Sequence, residues 1–187
     1  PRLYERCLEV MKTRGIPEIL LANMKPWAVA VTLMTPTGNN GVVLDHVLYQ
    51  DAVAAGKKVS GLETVAEQTG LFDDLSLKDQ ITLLQDTLDN LGSIGQMLRE
   101  LQVAYLDRDL KRLQEISEAS MRVGDPQLAE TFNRTIVLER NHRMLERMQS
   151  RLREGQQFIA VGALHLAGEQ GLLRLLSERG YRLSRIY

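Results

Sequence analysis

Apolar positions along this chain fall mostly at helical spacing. Leu3, Cys7, Val10 and Met11 share one face of a helix over 2–14, and Gly15 closes it. Pro17 begins a short second helix through Asn23. Pro26 occupies a first helical position, and Trp27 to Met34 is apolar on all sides, the pattern of a buried segment. A loop at 35–41 follows. The spacing then predicts a helix over 42–55, with Val43, Val47 and Val53/Ala54 inward and Gly56 at its end. Thr64-Val65-Ala66-Glu67 and Ser76-Leu77-Lys78-Asp79 are starts at which a hydroxyl caps a helix. The second opens a long stripe of Ile81, Leu84, Leu88, Leu91, Ile94, Leu98 and Leu101, which Gly92 and Gly95 weaken. Helices are also predicted over 110–120, over 127–154 after the turn Gly124-Asp125-Pro126, and over 169–179.

Three stretches break this rhythm. Phe158 to Gly162 is apolar throughout with two β-branched residues, and 57–63 and 181–186 also read as short strands. The expected fold is therefore mixed α/β, predominantly helical, with a small central sheet flanked by helices. Ligands collect at the carboxyl ends of strands in such folds. That makes the strand–turn–histidine–helix corner at 158–179 the first candidate site, with His165 at its apex. Glu63 ends another of the expected strands. Glu67 is explained by its capping box, whereas Glu63 is not.

The 127–154 helix contains an anomaly. Val137, Asn141, Met144, Met148 and Leu152 share a face, so Asn141 lies inside an apolar stripe with Arg140 at its edge. A buried amide without a partner costs roughly 2–7 kcal/mol. These two residues therefore bind something, or they tie a loop to the helix.

Composition narrows the classes. The chain has 187 residues, enough for one domain, and a net charge of -1 gives no electrostatic case for nucleic acid or an anionic membrane. One cysteine, Cys7, excludes an internal disulfide framework. No apolar run approaches the roughly eighteen residues of a membrane span. No signal peptide is seen, and the chain opens on Pro1 rather than Met.

Four pieces in order resemble the TraB/GumN family, related to the Tiki metalloproteases: Lys25-Pro26-Trp27-Ala28; Gly61-Leu62-Glu63-Thr64 with Glu67-Gln68; Glu139-Arg140-Asn141; and Val161-Gly162-Ala163-Leu164-His165-Leu166 with Gly168-Glu169 and Gly180-Tyr181. The resemblance implies a site of two glycine-x-x-histidine motifs, a glutamate following a glycine, and an arginine. Gly162 to His165 matches the second motif, Glu63 the glutamate and Arg140 the arginine, with Asn141 beside it. On that footing Glu63, Arg140 and His165 are the catalytic candidates, Asn141 and Gly162 the binding ones, and His165 and Glu63 the metal ligands.

The chain has no second glycine-x-x-histidine. The resemblance therefore leads us to expect a single domain over 1–187 lacking an N-terminal part that carries the other histidine. It also implies a metal-dependent hydrolase acting on peptides or proteins, with manganese, cobalt or zinc as the ion. This chain alone is expected not to bind that ion. The alternative is a non-catalytic protein that binds a ligand or partner through the same pocket. A bacterial periplasmic or envelope location is implied by the family alone.

Overall fold

A computed structural model describes residues 2–36, 43–121 and 126–186. The chain runs through α1 (Arg2–Thr13), α2 (Glu18–Leu21), α3 (Pro26–Met34), α4 (Leu44–Ala54), α5 (Val65–Asp73), α6 (Leu77–Asp89), α7 (Leu91–Leu106) and α8 (Leu110–Met121). Then come α9 (Pro126–Phe132), a π-helical segment (Asn133–Leu138), α10 (Glu139–Glu154), a single 3-10 turn (Ala163–His165) and α11 (Leu172–Glu178).

There is no strand among the described residues, so the small central sheet expected from the sequence is not present. The stretches at 57–63, 158–162 and 181–186 are not strands, and no backbone hydrogen bond joins one to another. A strand needs a ladder as well as apolar side chains. In 158–162 the alternation does other work: Ile159 and Val161 pack against the core that α10 and α11 share, while Phe158 is 81% exposed. The β-like pattern serves a helix face instead of a neighbouring strand.

Among the described residues, three apolar cores hold the helices together. In the first, α3 lies along α6, and Cys7 and Met11 of α1 close over Val29, Ala30, Leu33, Leu84 and Leu88. The second joins Met144, Leu145 and Met148 of α10 to Leu172 and Leu175 of α11. The third lies between α7 and α8 around Ala104, Leu113 and Ile116. The stripe expected from Ile81 to Leu101 is shared by two helices, broken at Asn90, whose side chain donates to the Asp86 carbonyl at 2.9 Å. The expected 127–154 helix is likewise divided by the π segment. The last helix starts at Leu172, later than the predicted 169. The predicted turn at 124–125 and most of the 35–41 loop lie outside the described residues.

Local chemistry explains the starts and stops. Thr64 Oγ1 accepts from the Glu67 amide at 3.2 Å while Glu67 Oε2 accepts from the Thr64 amide at 2.8 Å, the reciprocal cap that the sequence announces. Ser76 caps α6 through the Asp79 amide at 3.1 Å. The α4 expectation fails in part: Val43 is 64% and Val53 51% exposed, and no α4 residue is buried. Its apolar residues are spread around the helix rather than collected on one face, so no single side can be buried.

Candidate functional site

Gly162 leads into the 3-10 turn, and its carbonyl accepts from the His165 amide at 2.9 Å. The turn straddles two cores: Ala163 and Leu164 pack against the α7–α8 core, while Leu166 packs against the α10–α11 core. His165 is pinned between them and is 9% exposed. Gly162 has φ −59°, open to any residue, and a Cβ there would meet the His165 ring at 3.6 Å, an ordinary contact. Its part is to close the turn.

Asn141, fully buried on α10, organises the imidazole. Its Nδ2 donates to the Gln170 carbonyl at 2.8 Å, which orients the amide so that Oδ1 faces His165 Nδ1 at 2.7 Å. A carboxamide oxygen only accepts, so Nδ1 carries the proton and the Nε2 lone pair is left free. Nε2 has no hydrogen-bond partner among the described residues. Burial and the nearby Arg140 guanidinium push the His165 pKa down, which keeps the ring neutral, against a smaller opposing pull from Glu63.

Glu63 and Arg140 form a buried pair, with side chains 4% and 15% exposed. Arg140 Nε donates to Oε1 at 2.8 Å and Nη2 to Oε2 at 2.7 Å, while Nη1 donates to the Ile136 carbonyl at 3.1 Å in the π segment. The Arg140 hydrogen bonds hold the Glu63 carboxyl below the usual carboxylate range. Gly61 shapes the approach, since a Cβ there would come within 2.8 Å of the Glu63 carbonyl oxygen.

The structure therefore brings Glu63, Arg140, Asn141 and His165 onto the N-terminal half of α10. Sequence reasoning missed a second pair alongside. Arg147 Nη2 donates to Glu67 Oε1 at 2.6 Å and its Nη1 to the Leu62 carbonyl at 2.7 Å. The signal was available only in part: Arg140 and Arg147 are two turns apart on one face of α10, opposite two glutamates four residues apart, of which Glu63 precedes α5. The Arg147 bonds and the Thr64 cap hold the Glu67 carboxyl well below its ordinary range.

As a metal centre this set is incomplete. Among the described residues no three His, Cys, Asp or Glu side chains come together as a cation would require. His165 fits one ligand, because its other nitrogen is anchored as metal-bound imidazoles usually are. Glu63 fits poorly, with both oxygens held by a guanidinium. A cleft of about 400 Å³ along α7 and α8, lined by Arg99, Glu100, Asp107 and Arg112, contains none of these residues.

Nearer the start of the chain, Lys25 Nζ and Trp27 Nε1 both donate to Asp73 Oδ1 at 2.7 Å, and Trp27 stacks on Phe72 with centroids 5.2 Å apart. These residues dock α5 on the start of α3. Among the described residues no helix is long and apolar enough to cross a membrane.

Comparison with known proteins agrees with the motifs. The chain is 26% identical over 165 residues to the Metalloprotease TIKI1 of Danio rerio, covering 75% of this chain and 33% of that protein. It is 28% identical over 166 residues to the Metalloprotease TIKI homolog of Amphimedon queenslandica, covering 77% and 32%. An uncharacterised Escherichia coli K12 protein, YbaP, is 27% identical over 176 residues, covering 89% of this chain and 62% of its own. The chain thus spans about a third of the TIKI proteins it matches. No solved structure matches. The model of the TraB/PrgY/gumN family matches residues 1–185, and the chain belongs to that family.

Proposed function

We propose that the surroundings of His165 form part of the active site of a hydrolase that cleaves amide bonds in peptides or proteins with a divalent metal ion. The observation carrying this reading is the relay from the Gln170 carbonyl through Asn141 to His165. It fixes a buried neutral imidazole whose Nε2 lone pair is its only free function. The relatives named as metalloproteases support the substrate class and the ion, with manganese, cobalt or zinc as the candidates.

His165 Nε2 would hold the ion, and the other ligands would come from outside the described residues. When bound, such an ion polarises a carbonyl and acidifies its water. Arg140 has five N–H donors, of which three are engaged with Glu63 and Ile136. The remaining two can donate to an oxyanion as it develops, and Glu63 keeps the guanidinium oriented and charged. A bacterial envelope location is proposed from the family alone.

A second reading has its own observation in favour. Glu63 is already neutralised by Arg140, so the constellation is complete as a structural lock, and a non-catalytic protein could bind a ligand or partner over it. A screen of full-length protein against quenched fluorogenic peptides, with each of the three ions, separates the two. The hydrolase reading expects cleavage that falls at least about a hundredfold in His165→Ala with an unchanged circular dichroism spectrum. Cleavage absent with every ion supports the binding reading, and cleavage indifferent to His165→Ala removes His165 from the proposed active site.

A further inference from the structure

The cleft of about 400 Å³ along α7 and α8 lies outside the His165 site, and its size suits a small ligand. One wall is a single face of α7, on which Arg99, Val103 and Asp107 stand four residues apart. Asp109 and Arg112 of α8 form the other wall, and both are engaged. Asp109 Oδ1 accepts from the Arg112 amide at 2.9 Å, and the Arg112 guanidinium lies 3.8 Å from Glu100 and 3.6 Å from Glu115. Arg99 and Asp107 are different. Both side chains are exposed, and neither makes an ion pair or a side-chain hydrogen bond among the described residues.

These two unmatched charges are of opposite sign, and an apolar floor lies between them, with Val103 59% exposed and Ala104 buried. Asp107 occupies the C-cap of α7, where the last carbonyls already carry partial negative charge, so two effects favour a cation there. A guanidinium such as that of Arg99 matches a carboxylate in shape as well as charge. Eight residues of helix separate the two positions, about 12 Å along the axis. An extended peptide advances about 3.3–3.6 Å per residue, so one of three or four residues carries its two terminal charges at that spacing. Its middle side chain then lies over Val103.

We propose that this cleft binds a short zwitterionic peptide, with its terminal ammonium at Asp107, its terminal carboxylate at Arg99 and an apolar residue between them. The cleft contains neither His165 nor any residue proposed to act on a scissile bond. Binding there therefore stands or falls apart from the hydrolase reading.

The test is a nitrogen-15 NMR titration of full-length protein with alanyl-leucyl-alanine, in EDTA so that no metal-dependent cleavage intervenes. Backbone amide shifts are expected along α7 and at the start of α8. N-acetylation or C-amidation of the peptide should each weaken binding about three- to fivefold, as the loss of one exposed ion pair would. Arg99→Gln should erase only the effect of the C-terminal cap, and Asp107→Asn only that of the N-terminal cap. Both side chains are exposed, so neither substitution is expected to disturb the fold, and unchanged amide spectra away from the cleft check this. A peptide that leaves the α7 and α8 amides unmoved overturns the proposal. So does one that binds equally well with both ends blocked, or that keeps both end preferences in the two folded variants.

Discussion

Replacing Asn141 by Ala leaves the buried His165 Nδ1–H without a partner and removes the bond to the carbonyl of the exposed Gln170. A destabilisation of about 1–3 kcal/mol from the buried N–H is expected, read as a lower urea midpoint. Glu63→Gln leaves the Arg140 charge buried and uncompensated, and should cost about 3–5 kcal/mol. The double variant Glu63→Gln/Arg140→Met should recover much of that loss, and calorimetric melting would show it.

The same residues set the response to acid. His165 has a pKa lowered by folding, so below about 6.5 the unfolded chain takes up a proton that the folded one refuses, and stability falls. Glu63 has a lowered carboxyl pKa, so its contribution is present above about 4.3 and is lost as pH falls through the folded value. Stability measured from pH 8 to 3 should fall in two stages. His165→Gln should remove the first, and Glu63→Gln should reduce the second, to which the lowered Glu67 and Asp73 carboxyls also contribute.

At the scale of elements, Gly171 is the most demanding position. A Cβ there would collide with the backbone carbonyls of Leu166 and Ala167, which the turn into α11 brings close. Gly171→Ala should therefore displace α11 and with it the Gln170 carbonyl that orients Asn141, lowering the melting temperature and any His165-dependent activity together. Helix α4 is the opposite case. Since none of its residues is buried, Tyr49→Ala should shift stability by no more than about 0.5 kcal/mol, while Met144→Ala, in the α10–α11 core, should cost about 2–5 kcal/mol in the same denaturation assay.

Helix starts were legible in the sequence because capping needs only residues three apart, as at Thr64 and Ser76. The absence of strands among the described residues was not, because a strand depends on a partner that local pattern does not contain. Ile159 and Val161 look the same whether they face a sheet or lie on a helix. The π segment also left no trace, having no glycine or proline to mark it. For the site, the pattern picked out Asn141 as a polar residue in an apolar stripe, and the resemblance supplied the roles of Glu63 and Arg140. Arg147 escaped notice because Glu67 already had a sufficient explanation.

Across the whole molecule, the His165 turn is where separate cores meet. Ala163 and Leu164 belong to one and Leu166 to another, so the imidazole is positioned by packing from both sides as well as by Asn141. Precision of this kind keeps a reactive side chain in one geometry. The proposed function requires that ring to be protonated at Nδ1, free at Nε2 and open to a metal ion. Side-chain nitrogen-15 NMR of full-length protein with labelled histidine, with and without zinc, reads it directly. The expected result is a His165 ring with the proton on Nδ1 and a pyridine-like Nε2 whose resonance alone moves when zinc is added. A proton on Nε2, or an Nε2 resonance indifferent to zinc, would contradict it.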